Sequence, residues 1–547
     1  MRVALFVGIA TLSLLGDAAV PADDAWQATE GWFTLHHDAM RTGRTDDSPG
    51  VPFEYVWHRE YWAELIAPEA EPIVAEGLVF FGTLRGIVRA LDADRGEERW
   101  QADLGSPLHQ SPCYGDGRLI AATMSPRGEL VAFEARTGKE RWRFKPQRRG
   151  GFAASPLLYR GRVYLGDRAG DFYAIDAATG GLRWKASLGA PILQSAAIQD
   201  GRVAIAAEDL VPRLLSAADG KQLWQGPQMA GATVRGYFPV FWNDLVLWRT
   251  ETYGIDVYQN NIQEATEDGK FYAETRRKHG WSQEAEDLIK GIPRRYTEEK
   301  YTQEQRYIQQ QMQSGKHPRS FYAFKVADGS EPVVYAVGYH ANENGYAVPS
   351  SPPVDGDGAL YVFTKSVYSQ WPYPIRAFDA VSTLDYASGL PRLIRGIDRS
   401  RGSFPATCDE ANNLTIAGDK LYDTHDHVLA YMDLKTRRVY NAFSSHAPEL
   451  WGGVFKASAA DNVTAEKPGV WKLRDTENSL HLTIQWNGPA QGAVAIWRDK
   501  VWWITGSMVI CLKGTVLLGN ACRTDYNGAY RSIAWPTRTE LPPEAPR

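Results

Sequence analysis

The stretch Ile175-Asp176-Ala177-Ala178-Thr179-Gly180-Gly181-Leu182-Arg183-Trp184 occurs in four related copies. The others are Leu91-Asp92-Ala93-Asp94-Arg95-Gly96-Glu97-Glu98-Arg99-Trp100, Phe133-Glu134-Ala135-Arg136-Thr137-Gly138-Lys139-Glu140-Arg141-Trp142 and Leu215-Ser216-Ala217-Ala218-Asp219-Gly220-Lys221-Gln222-Leu223-Trp224. Each places an acidic residue or Ser four positions before a Gly and a Trp four positions after it, and successive tryptophans lie 42, 42 and 40 residues apart. The wording describes a hairpin. An apolar residue ends one strand, Asp or Ser folds its side chain onto the local backbone, Gly takes a positive φ, and the next strand carries Trp as a large apolar anchor.

Two hairpins in a period near 40 residues are the pattern of a β-propeller, whose four-stranded blades bury their faces against neighbouring blades. A chain of 547 residues with 44% apolar, 23% charged and 12% aromatic residues, including 19 Trp, suits one large propeller. The expected fold is all-β and eight-bladed, with seven blades as the alternative.

Blade one reads as inner strand Ile73–Ala75, then Leu78–Gly82, Ile87–Leu91 and outer strand Glu97–Ala102. Blades two to four start at Ser111-Pro112, Ser155-Pro156 and Ser195-Ala196. Blade five opens with Phe238–Trp248 and resumes at Phe321–Gly329. Between its parts, residues 255–319 are polar and Gln- and Glu-rich, which predicts an insertion of two or three helices. Ser282 and Thr297 read as N-caps, Glu284, Glu286, Glu298 and Glu299 occupy first turns, and Gly315 ends the last helix. Blades six and seven are expected to start at Ser351-Pro352 and Phe404-Pro405. Blade eight is assembled from 492–497, 500–504 and 508–512. Residues 23–71 supply a strand that closes the ring, the propeller spans 72–515, residues 456–485 form another excursion, and 516–547 form a tail.

The first 22 residues read as an export signal: Arg2, an apolar run from Val3 to Leu15, then Val20-Pro21-Ala22 before a cut. That predicts a periplasmic or secreted protein, and no stretch has the length of a transmembrane helix. A net charge of −5 recommends neither nucleic acid nor an anionic membrane as partner. Four Cys do not make a disulfide framework. Cys511 and Cys522 are near enough in sequence to bridge one loop, an open question, whereas Cys113 and Cys408 read as buried thiols at blade starts.

With the repeats in view, the Asp-Ala-x-Thr-Gly-x-x-x-Trp wording at 176–184 resembles the repeat of pyrroloquinoline-quinone (PQQ) dehydrogenases and of their non-enzymatic propeller relatives, including the propeller subunit of the outer-membrane protein assembly machine. The resemblance covers about residues 30–515 and is strongest in blades one to four. For an enzyme it implies a quinone on the propeller axis, stacked between Trp and a ring of two adjacent disulfide-linked Cys, with Ca²⁺ held by Glu and Asn and an Asp base. This chain has no adjacent Cys pair and no Cys-x-x-Cys-His for haem, so it resembles the non-enzymatic members more.

Propeller topology sends the outer-to-inner and second-to-third connections to one face, the loop face, where ligands are expected. Arg149-Gly150-Gly151-Phe152, Arg235-Gly236-Tyr237-Phe238 and Arg401-Gly402-Ser403-Phe404 share Arg-Gly-x-Phe on entry to blades three, five and seven. Arg149, Arg235 and Arg401 form a cationic mouth for carboxylate or phosphate if they face the axis; otherwise each caps nearby carbonyls over its Phe. His109, Gln110, Gln194, His340, Glu343 and Asn344 enter the same face, the last two offering residue types suited to Ca²⁺.

Asp423, His425 and His427 share one phase of extended chain in a blade-seven loop, with His446 on the following turn. They form a transition-metal set or a solvated polar loop. The resulting expectation is a monomeric binding or scaffold protein whose loop face, covered in part by 255–319, takes a protein or small anionic ligand. A PQQ- and Ca²⁺-dependent, or metal-dependent, oxidoreductase acting on alcohols or sugars is the alternative.

Overall fold

The computed structural model describes residues 31–50, 53–67, 70–250, 267–280, 282–290, 298–316, 319–337, 351–365, 378–398, 414–425, 428–435, 439–444, 463–467, 470–473, 493–504, 506 and 508–514. Its sheets form an eight-bladed β-propeller, as the repeat predicts.

Blades one to four are regular four-stranded antiparallel sheets. Blade three runs Leu157–Tyr159, Arg162–Gly166, Asp171–Asp176 and Leu182–Ser187, paired in sequence order. The strand starting at Asp171 is buried along its length up to Asp176, because both of its faces meet neighbouring blades. In blade eight, Val494–Trp497, Lys500–Ile504 and Met508–Gly514 are completed by Phe53–Glu60 from the N-terminal part, which closes the ring.

Each repeat tryptophan serves the next blade. Nε1–H of Trp57, Trp100, Trp142, Trp184 and Trp224 donates to the carbonyls of Ala93, Ala135, Ala177, Ala217 and Val326, at 3.1, 2.7, 2.9, 3.0 and 2.9 Å. The indole face lies on the hairpin glycine of that next blade. At Gly180, where φ is 73°, an added Cβ would sit 2.7 Å from the Trp142 ring. Glycine thus supplies both the left-handed turn and the indole seat. Trp57 fills this role in the closing strand, 43 residues before Trp100.

Among the described residues blade five has three strands, Val240–Trp242, Leu245–Arg249 and Phe321–Lys325, with the helices α1 (Glu267–His279), α2 (Gln283–Lys290) and α3 (Glu298–Gln313) between the last two. Ser282 Oγ accepts from Ala285 N–H at 3.2 Å, the predicted N-cap. Thr297 lies outside the described residues.

The last helix differs from expectation in position. Gln309 Nε2 on α3 donates to Val334 O and Ser388 O, both at 2.7 Å. Ser388 belongs to the hairpin of blade six, on the edge opposite the loop face, so α3 reaches the hairpin edge instead of simply covering the loops. The reason is that, among the described residues, the fourth strand of blade five is missing. No Trp arrives from it, so Tyr335 O–H donates to Tyr386 O at 2.9 Å in place of the indole, and Gln309 lies over Gly389.

Blade six keeps only a Val354↔Leu360 bridge at its inner edge, ahead of Tyr361–Lys365, Phe378–Leu384 and Pro391–Asp398. The inner strand of blade seven is Thr415–Ala417, well after the expected start at Phe404-Pro405, which lies outside the described residues. Within 456–485, Val463–Lys467 pairs with Val470–Leu473.

Candidate functional site

The propeller axis is lined by the chain's own N-terminal segment. An inner strand has a free edge toward the axis, and its unpaired N–H groups need acceptors. Residues 32–45 provide them in turn. Trp32 and Val74 exchange N–H···O bonds of 2.8 and 2.9 Å; Phe33 O accepts from Tyr114 N–H at 2.8 Å, Ala39 O from Ile198 at 2.6 Å and Met40 O from Phe241 at 3.1 Å. Thr42 O accepts from Val354 at 2.9 Å and Gly43 O from Ile416 at 2.8 Å, after which Arg44 and Thr45 pair parallel to Ile416 and Ala417. The segment therefore visits blades one, two, four, five, six and seven.

This winding brings buried polar groups to the axis. Glu71, fully buried, accepts from Trp32 Nε1–H at 3.0 Å and from His36 N–H at 2.5 Å. Arg41, also fully buried, donates through Nε to Ala196 O at 3.0 Å and through Nη1 to Thr34 Oγ1 at 2.9 Å and to Leu35 O. Burial pulls its guanidinium down to about 10 against the opposing charges of Glu71 and Asp38. His36, His37 and Arg41 all have left-handed φ, at 57°, 72° and 63°, a conformation held by these surrounding bonds. Cys113 is a buried thiol as expected, raised to about 12 by desolvation.

Above the inner strands, the loop face carries those of the expected polar residues that the structure describes. Arg235 Nη2 donates to His109 Nε2 at 3.3 Å, joining the entries to blades five and two across the ring. Phe152 and Phe238 are buried beneath their loops, while Arg149 and Arg235 are exposed. Gln110 Oε1 accepts from Ser155 Oγ at 3.4 Å, which ties it to the loop backbone framework. Gln194 is buried, and its Oε1 accepts from Ala206 N–H at 2.9 Å, so it braces blade four. His109 and Arg235 are two separately expected residues that the structure brings into contact. Arg401, His340, Glu343 and Asn344 lie outside the described residues.

The Asp423–His427 stretch is less of a loop than expected. Asp423 and His425 belong to the strand Lys420–His425, opposite Ala430 and Val428. His427 and His446 are outside the described residues, as is Cys522. Cys511 is a buried thiol in blade eight whose Sγ faces Ala93 O at 3.8 Å.

Comparison with known proteins fits this architecture. A family model described as outer membrane protein assembly factor BamB matches residues 54–126 and 126–250. Over these residues the propeller's repeats are PQQ-like. Outer membrane protein assembly factor BamB of Yersinia pestis is 24% identical over 229 residues, 39% of this PQQ-like propeller and 55% of the relative. The serine/threonine-protein kinase AfsK of Streptomyces griseus is 34% identical over 128 residues, 21% of this chain and 15% of that one. This propeller thus spans only 15% and 55% of these relatives' own lengths. The crystal structure of quinohemoprotein alcohol dehydrogenase from Comamonas testosteroni superposes with a TM-score of 0.52 at 10% identity, covering 89% of this chain and 81% of that one, and so shares its fold.

At the level of the inner strands the axis is taken by residues 32–45, and Arg235 and His109 bond to each other above it. Among the described residues no group of three or more His, Cys, Asp or Glu side chains is arranged to hold a metal ion. No helix among them is long and apolar enough to cross a membrane.

Proposed function

We propose that this protein is an exported PQQ-like propeller, periplasmic or secreted, that acts as a monomeric binding or scaffold protein through its loop face. The observation that carries the reading is the contrast between a filled axis and a loop face rich in exposed arginines, Arg85, Arg127, Arg149, Arg168 and Arg235. A ring whose centre is used for its own cohesion binds at its rim. Such a face suits a protein or a small anionic ligand.

The second reading, a quinone-dependent oxidoreductase, draws on the quinohemoprotein alcohol dehydrogenase with which the fold is shared. One experiment separates the two. Purified protein is titrated with PQQ and Ca²⁺ and followed by quinone absorbance and dye-linked oxidation of alcohols and sugars. Neither signal is expected. Saturable quinone binding with turnover would overturn the scaffold reading. A partner recovered by pull-down on the intact chain, and lost on charge reversal of loop-face arginines, would support it.

A further inference from the structure

We propose that Arg127, Arg149 and Arg168 form a docking site for an acidic peptide segment of a partner protein, an inference that rests on the loop-face reading above. The three come from different connections: Arg127 from the turn between the second and third strands of blade two, Arg149 from the entry to blade three, and Arg168 from the second-to-third turn of blade three.

These connections touch backbone to backbone. Phe152 N–H donates to Thr123 O at 2.9 Å and Arg168 N–H to Gly151 O at 3.0 Å. An added Cβ on Gly128 would lie 2.8 Å from Gly151 Cα, and one on Gly150 would lie 2.6 Å from Ala169 N. Gly151 has a left-handed φ of 67°, and a Cβ there would lie 2.6 Å from Met124 O. Glycines at the contacts therefore hold three arginine-bearing loops closer than side chains would permit. Arg127 and Arg149 directly precede two of these glycines, and Arg168 directly precedes Ala169.

All three side chains are exposed. Arg168 spends one donor, Nη1, on Met124 O at 3.3 Å. The nearby carboxylates are engaged elsewhere. Glu129 pairs with Arg143 and with Lys145, the latter at 2.7 Å. Asp167 accepts from Ala169 N–H, Asp171 N–H and Tyr173 O–H at 2.9, 3.0 and 2.7 Å. Asp171 is 3.1 Å from Lys185 and 4.0 Å from Arg148. Gathering like charges in this way costs repulsion that an incoming anion relieves.

Guanidinium groups bind carboxylates through paired hydrogen bonds. A long polyanion such as nucleic acid would run onto the rest of a chain with net charge −5, while a short run of Asp or Glu needs only the cluster. That favours an acidic peptide.

The test is fluorescence anisotropy with a labelled Glu-Ser repeat peptide in about 50 mM salt, where exposed charges are weakly screened. Saturable binding is expected to the intact protein. The triple variant Arg127→Glu, Arg149→Glu, Arg168→Glu should lose affinity by about tenfold or more, and replacement of the three by Lys should restore part of it. The matched hairpin-edge triple Arg95→Glu, Lys139→Glu, Arg202→Glu should change it by no more than about twofold. Thermal melts check that each variant is folded.

Equal losses in both triples, no binding to the intact protein, or stronger competition by an oligonucleotide or anionic vesicles than by unlabelled peptide would overturn the proposal. If the peptide fails while a partner still cross-links to loop-face positions, this inference falls and the loop-face reading stands. If the partner cross-links only to the hairpin edge, the reading falls as well.

Discussion

The two edges of the propeller handle charge and glycine in different ways. On the hairpin edge the repeat neutralises itself. Asp92 pairs with Arg99 at 2.5 Å, Glu134 with Arg141 at 2.8 Å, Asp176 with Arg183 at 2.5 Å, and Asp385 with Arg392, each pair spanning one turn. Glycine there seats the preceding blade's indole. On the loop edge, glycine lets neighbouring loops touch, and the arginines beside it are exposed. The same residue type therefore builds cohesion on one edge and presentation on the other, which assigns stability to the first and fits the recognition proposed above for the second.

The comparison breaks most readily at the indoles. Trp100→Ala removes a buried ring and its hydrogen bond to Ala135 O, and should cost about 3–5 kcal/mol in urea denaturation. A loss below about 1 kcal/mol would mean that blade two docks without it. Gly180→Ala should cost about 1–3 kcal/mol, because it meets both the positive φ and the Trp142 ring. An equal cost at Gly77, whose Cβ position is open despite its φ of 75°, would assign the effect to backbone strain alone.

Tyr335→Phe tests the substitute for an indole in the interrupted blade. Loss of the hydroxyl that donates to Tyr386 O should cost about 1 kcal/mol. The same experiment on a variant shortened within α3 should show coupling, since Gln309 meets the same hairpin.

Asp176 gives a smaller, pH-dependent effect. Hydrogen bonds from Arg183 and Thr179 hold its carboxyl at about 2, below the usual 3.8. A lowered folded-state value stabilises the fold at pH values above the unfolded one, and that contribution is lost as pH falls from about 4 towards 2. Arg183 is half-exposed, so Asp176→Asn should cost under about 1 kcal/mol at neutral pH, and the difference from the parent should vanish near pH 2. On the loop edge, Arg149→Ala should leave the melt within about 0.5 kcal/mol of the parent.

The sequence carried the regular blades almost residue for residue, because Asp, Gly and Trp at fixed offsets are side-chain signals that repeat with the structure. A closing strand from residues 23–71 was expected, and Trp57 within it takes the indole role of the repeat. The axial winding of residues 32–45 left no comparable trace: its contacts are made by backbone carbonyls, which any residue provides, and its bends use His36, His37 and Arg41 in left-handed conformations that are uncommon for such residues. The exchange of a Trp for Tyr335 and Gln309 was hidden for another reason. Two residues far apart in sequence share one job, so no local pattern marks either. At the candidate site, the Arg-Gly-x-Phe wording singled out Arg149 and Arg235, which are exposed, but the proposed grouping of 127, 149 and 168 depends on which loops touch.

Site-specific photo-crosslinking in the native cell extract tests the division of edges most directly, with a benzophenone amino acid placed at Arg85 or Arg235 on the loop edge and at Lys139 or Arg202 on the hairpin edge. Partner adducts confined to the loop positions are predicted. Adducts of equal yield at both edges, or only at the hairpin positions, would contradict the account.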